Sequence, residues 1–394
     1  MTKIYIVDDD IQIAELLTAT VESIGLNSQY FTSARQFIEL SVDETDIILL
    51  DLNMPDIDGI EVLRTLGKNE CLAQLVLISG HDKGVLHSAE QLAQAHSLKV
   101  AASFTKPVQI DELQKLILKI SQDTSSLDSV SGAIQTLPTV DELRRAISEK
   151  QLVLHYQPQV DVKTGELRGV EALVRWQHPE RGLVFPDQFI TLAEKNDLIG
   201  DLTASVIAMS IEQSREWQDR GLTTKVSVNI SSENITSLSL PEQLTDMLSH
   251  NQLDPTRLSL EVTESALMGE LVTSLDILTR LRMKGFGLSI DDFGTGYSSL
   301  SQLHKIPFTE LKIDQSFIMS MTQDDESRAI VKTCILLGHE LNMELVAEGV
   351  ETQEILDILK VFGCDIAQGY HIARPMPAEA LLEWVMKRAP LGAD

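Results

Sequence analysis

Short apolar runs that stop abruptly at an acid, a hydroxyl or a lysine recur along this chain, and stretches with apolar residues at helical spacing separate them. Near the start, Ile4-Tyr5-Ile6-Val7 reads as a buried strand ending in Asp8-Asp9-Asp10, and Ile11, Ala14, Leu17 and Val21 follow at helical spacing. Asp46-Ile47-Ile48-Leu49-Leu50 is a second strand ending in Asp51. Leu75–Ile78 is a third, ending in Ser79, and Val100–Phe104 a weaker fourth before Thr105-Lys106-Pro107. Helical patterns lie between, including Ile60–Leu66 and Ile110–Ile120. Strands alternating with helices predict a doubly wound parallel sheet over residues 1–122, with chemistry gathered at the carboxyl ends of its strands.

Residues 123–138, rich in Ser and Asp and poor in apolar side chains, read as a flexible linker. Over 139–394 the pattern resumes. Strands are predicted at Leu152–Tyr156, Gly169–Leu173, Lys225–Ile230, Leu258–Val262, Gly287–Ile290, Glu310–Ile313, Leu345–Ala347 and Ile366–Tyr370, with helical stretches such as Leu202–Arg220 and Glu326–Leu341 between them. Eight such units in about 250 residues predict a (β/α)8 TIM-like barrel, which builds its site at one face from strand ends. Gln157, Glu171, Asn229, Glu261, Asp291, Asp292, Lys312, Asp314, Glu348 and Gln368 all fall at or near those ends. Carboxylates, an amide and a lysine delivered by successive strands point to a hard-cation site, and oxygen-only ligands favour Mg²⁺ or Mn²⁺ over zinc. Asp291-Asp292 also opens a glycine- and hydroxyl-rich loop, Phe293–Ser299.

Composition narrows the function classes. The formal net charge of −27 disfavours direct DNA binding, and an anionic substrate would need bound cations to approach such a chain. No window supplies a membrane span, and acids interrupt the N-terminal apolar run at once, so no secretory h-region is expected. Three scattered cysteines, without a CxxC pair, argue for a reducing, cytoplasmic setting and against structural zinc.

The first segment resembles the receiver domain of two-component response regulators, a flavodoxin-like fold, through its ordered acid pair, lone Asp, Ser and Lys-Pro. The resemblance implies Asp51 as phosphoacceptor, Asp8 and Asp9 holding one Mg²⁺, Ser79 contacting the phosphoryl group and Lys106 pairing with it. It implies a cognate sensor histidine kinase as partner. Many receivers carry an aromatic three residues before the lysine; here Ser103 stands there and Phe104 one later. The departure removes the usual ground for an aromatic-rotation output and leaves phosphorylation untouched.

The second segment resembles the EAL family of cyclic di-GMP phosphodiesterases. The motifs are Glu171-Ala172-Leu173-Val174-Arg175-Trp176, Val228-Asn229-Ile230-Ser231, Glu261-Val262-Thr263-Glu264, Asp291–Ser299, Leu311-Lys312-Ile313-Asp314, Ala347-Glu348-Gly349-Val350-Glu351 and Gln368-Gly369-Tyr370. The resemblance implies that Glu171, Asn229, Glu261 and Asp291 bind one metal and that Asp291 and Asp292 help bind a second. It implies Lys312 and Glu348 as catalytic groups, Glu348 the favoured base, with Arg175 on a substrate phosphate and Gln157, Asp314 and Gln368 seating water or substrate. Glu264 is implied as a clamp on the Phe293–Ser299 loop.

Together these resemblances predict a phosphorylation-regulated hydrolase that opens cyclic di-GMP to linear 5'-pGpG by a two-metal mechanism, in a homo-oligomer. Two alternatives stay open at this point: a catalytically weak receptor for the nucleotide, and an interaction protein acting through its receiver.

Overall fold

The computed structural model describes residues 2–40, 42–69, 71–80, 83–96, 98–129, 138–263, 266, 271–294, 303 and 305–387. The chain divides into two compact units, residues 1–135 and 136–394.

The first unit is a five-stranded parallel sheet of β1 (Lys3–Val7), β2 (Asn27–Phe31), β3 (Ile47–Asp51), β4 (Gln74–Ser79) and β5 (Lys99–Thr105), in the order β2-β1-β3-β4-β5. β1, β3 and β4 are buried almost throughout because helices cover both faces, as in parallel sheets generally. The sequence pattern did not reveal β2: it is an edge strand in which only Phe31 is buried, so Asn27-Ser28-Gln29 carries no apolar run. The last helix of this unit runs from Ile110 to Ser129. The segment read as flexible is therefore helical as far as Ser129. Extending a helix already nucleated over Ile110–Ile120 is far easier than starting one, even with Ser and Asp added.

The second unit is a closed barrel. Its strands are β6 (Leu152–Asp161), β7 (Leu167–His178), β8 (Gly182–Val184), β9 (Lys225–Asn229), β10 (Leu258–Thr263), β11 (Gly287–Phe293), β12 (Glu310–Ile313), β13 (Glu344–Ala347) and β14 (Ile366–Ala367). The sheet order β6-β14-β13-β12-β11-β10-β9-β7-β8, with β6 also pairing β7, closes eight strands and leaves β8 as a hairpin extension of β7. One feature departs from an ideal (β/α)8 barrel: β6 runs antiparallel to both of its neighbours. The connection from β6 to β7 is a short turn, too short for the crossover helix that a parallel pair requires. Gln157 therefore reaches the site from within its strand rather than from a carboxyl end.

The register shows what faces inward. Glu171 lies beside Gln157 and Ser227, Ser227 beside Ser259, Glu261 beside Ser289, Ser289 beside Glu310, and Glu310 beside Glu344. Alternate residues of a strand share a face, so this one face carries all these side chains into the barrel. Among the described paired residues this face is mostly polar or glycine, interrupted by Val346 and Ile366 and, toward the far end of the β6–β7 pair, by Leu173 and Val153. Ordinary barrels of this kind fill that space with Val, Ile and Leu. Here the apolar residues sit on the opposite face: Val226, Val228, Leu260, Leu288, Ile290, Leu311 and Leu345 belong to the core beneath the outer helices.

Candidate active site

Alternation in β10, β11 and β12 aims Glu261, Asp291 and Lys312 toward one mouth of the barrel. Lys312 is 1 % exposed and is the hub of the site. Its Nζ lies 2.7 Å from Glu348 Oε1, 2.9 Å from Glu261 Oε2, 3.0 Å from Asp291 Oδ1 and 3.7 Å from Glu171 Oε2. A single buried ammonium thus faces four carboxylates. Burial works against its charge, but Glu171, Glu261, Glu348 and Asp291 outweigh it and raise its pKa well above the usual lysine value. For Glu348 burial is the largest cause of a pKa pushed up to about 8, reinforced by Asp291 and Glu171 and opposed by Lys312. Glu261, fully enclosed, is also raised well above the ordinary carboxylate range, chiefly by burial.

Glu171 is held from two further sides. Asn229 Nδ2 donates to its Oε1 at 3.0 Å, and Gln368 Nε2 donates to its Oε2 at 2.5 Å. Gln368 also donates to Gln157 Oε1 and accepts from Gln159 Nε2 at 2.9 Å. Sequence reasoning passed over Gln159, although a spacing of two from Gln157 places it on the same face. Asp292 has a left-handed backbone, φ +54°, which turns the chain out of β11 directly after Asp291. Burial, Asp291 and Asp314 raise its pKa to about 6. Asp314 is hydrogen-bonded to Asp292 and also accepts from the backbone and hydroxyl of Ser316, capping the helix Gln315–Ser320.

Carboxylate oxygens of Asp291, Asp292 and Glu348 lie within 4.8 Å of one another. With Glu171 and Glu261 beside them, this all-oxygen donor set suits a hard, oxygen-seeking cation. The cluster opens into a cleft of about 320 Å³ lined by Arg175, Gln315, Glu351 and Tyr370 among others. An apolar cavity of about 730 Å³ begins at Leu173 and Asn229 and includes Pro186 and Ile190. Arg175 is 7 % exposed; it lies 5.2 Å from the Phe185 ring centroid, and its Nε has no partner among the described residues. Arg374 stacks on Tyr370 at 4.2 Å. Tyr370 stands in the Gln368-Gly369-Tyr370 motif read from the sequence, whereas Phe185 carries no sequence signal. Glu264 and residues 295–300 lie outside the described residues, so the expected clamp is not placed.

In the first unit, Asp8, Asp51 and Ser79 are buried at adjacent strand ends and Asp9 is exposed. The third acid, Asp10, serves elsewhere, capping the helix Ile11–Ser23. Lys106 Nζ donates to Asp8 Oδ2 at 2.7 Å and Asp51 Oδ2 at 2.8 Å. Burial raises the pKa of Asp8, with the hydrogen bond from Lys106 opposing. Asp8, Asp9 and Asp51 offer oxygens within 4.8 Å of one another, which again suits a hard cation. Ser103 donates to Glu90 of the helix Lys83–Ala95, so the place of the absent aromatic is taken by a polar tie between β5 and that helix.

These two sites define a receiver joined to an acid-lined barrel. Residues 140–375 match the EAL domain family and residues 4–118 the response regulator receiver domain family. The chain belongs to the EAL domain family and carries a receiver domain ahead of that domain. RocR of Pseudomonas aeruginosa, a cyclic di-GMP phosphodiesterase, is 30% identical over 344 residues, covering 87% of this chain and 88% of RocR. MucR of the same organism, a bifunctional diguanylate cyclase/cyclic di-GMP phosphodiesterase, is 44% identical over 253 residues, 64% of this chain and 37% of MucR. The solved structure of the PaMucR phosphodiesterase in its c-di-GMP complex superimposes with a TM-score of 0.59 at 45% identity, covering 61% of this chain and 98% of that one. The chain spans about a third of the length of several curated relatives, MucR among them. No described helix is long and apolar enough to cross a membrane.

Proposed function

We propose that this protein hydrolyses cyclic di-GMP to linear 5'-pGpG under control of phosphorylation at Asp51. The observation that carries the hydrolase reading is the complete acid cluster around Lys312, in a chain that matches RocR across both domains. Glu171, Asn229, Glu261 and Asp291 would hold one divalent cation, and Asp291 and Asp292 a second. Two such ions, Mg²⁺ or Mn²⁺, would neutralise the acids, polarise the scissile phosphate and make a nearby water more acidic.

The chain's own groups do the rest. Glu348, 2.7 Å from Lys312 and among the oxygens of Asp291 and Asp292, is placed to take a proton from the attacking water. Lys312 orients Glu348 and balances charge as it develops. Arg175 would offer a phosphate its guanidinium, whose Nε has no partner among the described residues while Nη1 donates to the Val174 carbonyl. Gln368 donates to Glu171 and is itself held by Gln157, and Asp314 is hydrogen-bonded to Asp292, so we assign all three to positioning the acids. The apolar cavity beside Asn229 fits a flat base. The deciding assay is chromatography of cyclic di-GMP incubated with the protein and Mg²⁺: linear product supports a hydrolase, while retained but uncleaved nucleotide would make it a receptor.

Metal dependence has a pH signature. In the metal-free protein Asp292 and Glu348 have pKa values raised to about 6 and about 8. Raised carboxyl pKa values mean that the folded state holds protons more tightly than the unfolded chain, so their stability contribution is full at low pH and lost as pH rises through those values. Bound cations should remove this loss. Mg²⁺ should therefore raise the melting temperature more at pH 8.5 than at pH 5.5, both taken as about the outer edges of that window. Equal shifts at both pH values, by calorimetry against a chelated control, would contradict the assignment.

For the receiver, Asp51→Asn should abolish phosphoryl incorporation from a small acyl phosphate and leave turnover unresponsive to that donor. Intact-mass spectrometry reads the first effect. Undiminished incorporation would point to another acceptor.

A further inference from the structure

Six inward-facing atoms of the barrel are buried with no hydrogen-bond partner among the described residues. They are the hydroxyls of Ser227, Ser259 and Ser289 and the Oε1 atoms of Gln159, Glu261 and Glu310. Five of these side chains lie outside the proposed chemistry; only Glu261 belongs to it. In folded proteins such groups are almost always satisfied, and where no side chain does so an ordered water does.

Their arrangement is not scattered. Ser289 lies beside Glu261 on one neighbouring strand and beside Glu310 on the other. Ser259 lies beside Ser227 on one side and Gly287 on the other. Two glycines leave the room that the Ser259 and Gln159 side chains fill on this face. A Cβ at Gly287 would come within 2.8 Å of Ser259 Oγ, and one at Gly169 within 2.9 Å of Gln159 Oε1. Below, ion pairs close the barrel: Lys225 pairs with Glu310 and, at 3.8 Å, with Glu344, and Arg168 pairs with Glu344 and, at 3.5 Å, with Asp161. Above, Lys312 and the acid cluster close it. The three Oε1 atoms can only accept when Glu261 and Glu310 are ionised, and each hydroxyl has one hydrogen to give. Water brings two donors per molecule and can serve hydroxyl and carboxylate together.

We infer that the barrel encloses ordered water held by Ser227, Ser259, Ser289, Gln159 and Glu310, and that this water donates to Glu261 Oε1. The serines are then positioning residues: they act on the acid cluster through water rather than by touching substrate. Glu261 is gripped from above by Lys312 at Oε2 and from below by water at Oε1. The same water lets two buried layers of charge, Lys225–Glu310 and Lys312–Glu261, coexist in one barrel at tolerable desolvation cost.

The water is tested without reference to activity. A crystal or neutron structure of the full chain, at a resolution that orders solvent, should show water within hydrogen-bond distance of Ser289 Oγ and of both Glu261 Oε1 and Glu310 Oε1. Direct bonding among the six atoms, with no water between them, overturns the proposal. The positioning role rests on the hydrolase reading and is tested by a pair of variants that both delete one hydroxyl. Ser259→Val fills the space and should lower kcat about tenfold with KM nearly unchanged, whereas Ser259→Gly leaves room for a replacement water and should show a clearly smaller loss. Mg²⁺ affinity by calorimetry should follow the same order. Equal behaviour of the two variants overturns the positioning role even if the water is present. If the valine variant does not fold, the decision passes to Mg²⁺ affinity of Ser259→Gly against Ser259→Ala: a glycine value at least as near the parent's as the alanine value supports the water, and a greater loss in the glycine variant overturns it. Failure of the parent protein to hydrolyse cyclic di-GMP would sink the functional reading alone, since the crystallographic result stands apart from it.

Discussion

Lys312→Met should destabilise the metal-free barrel by about 3–5 kcal/mol, the usual cost of stripping one partner from a buried ion pair. The reason is the count of charges it serves: Glu171, Glu261, Asp291 and Glu348 would lose an ammonium that lies within 4.0 Å of all four. Methionine fills a comparable volume, so packing is not the main loss. The deficit should shrink when Mg²⁺ is added, because cations can take over the neutralising role, yet turnover should stay at least about a thousandfold down, as for loss of a preorganised electrostatic group. Melting curves with and without Mg²⁺, beside a product assay, read both effects. A metal-free variant as stable as the parent would mean that the acids are protonated rather than paired with Lys312.

Glu171→Gln should reduce hydrolysis by a similar factor while the fold persists. The amide oxygen can still accept from Asn229 or Gln368, so the local network survives in part. What disappears is a full negative charge 3.7 Å from Lys312 and beside Asp291, and with it a cation ligand. Mg²⁺ affinity should fall in step with turnover. Near-parent turnover with unchanged melting temperature would remove Glu171 from the metal set.

Part of this protein is legible one residue after another. Ile4–Val7, Ile47–Leu50 and Leu75–Ile78 are apolar runs that only a strand covered on both faces would carry, and each ends in a residue that the fold places at its site. All eight barrel strands were located, because their acids and Lys312 stand at the ends of apolar alternation, although β6 and β7 run on to Asp161 and His178, well past their predicted ends at Tyr156 and Leu173. Linear order, strand identity and the oxygen-rich chemistry of the site therefore follow from local pattern alone. Even the polar interior is written there, in Lys225-Val226-Ser227-Val228-Asn229 and Glu310-Leu311-Lys312-Ile313. Alternation says only that two faces differ, however. It does not say which face is enclosed, and a half-solvated antiparallel sheet gives the same signal.

Tertiary structure decided the remainder. β2 was invisible because an edge strand can be polar on both faces, and its pairing with β1 supplies what its sequence lacks. The reversed direction of β6 is set by the short turn to β7 and by barrel closure, neither of which is a property of residues 152–161 taken alone. The convergence of four acids on one lysine arises from the register of strands separated in the chain, two acids from the strands paired with β12 and two from strands farther round the barrel, and the ties of Gln159 to Gln368 and Asp314 to Asp292 likewise join paired strands. These contacts join residues far apart in the chain, so no local spacing encodes them. By itself the sequence determined which residue types stand at strand ends and hence which chemistry is possible. Only closure of the barrel decided that those residues meet in one buried cluster, where low dielectric and mutual repulsion raise Glu261, Asp292 and Glu348 out of the ordinary carboxylate range and make Lys312 the counter-charge on which the cluster depends.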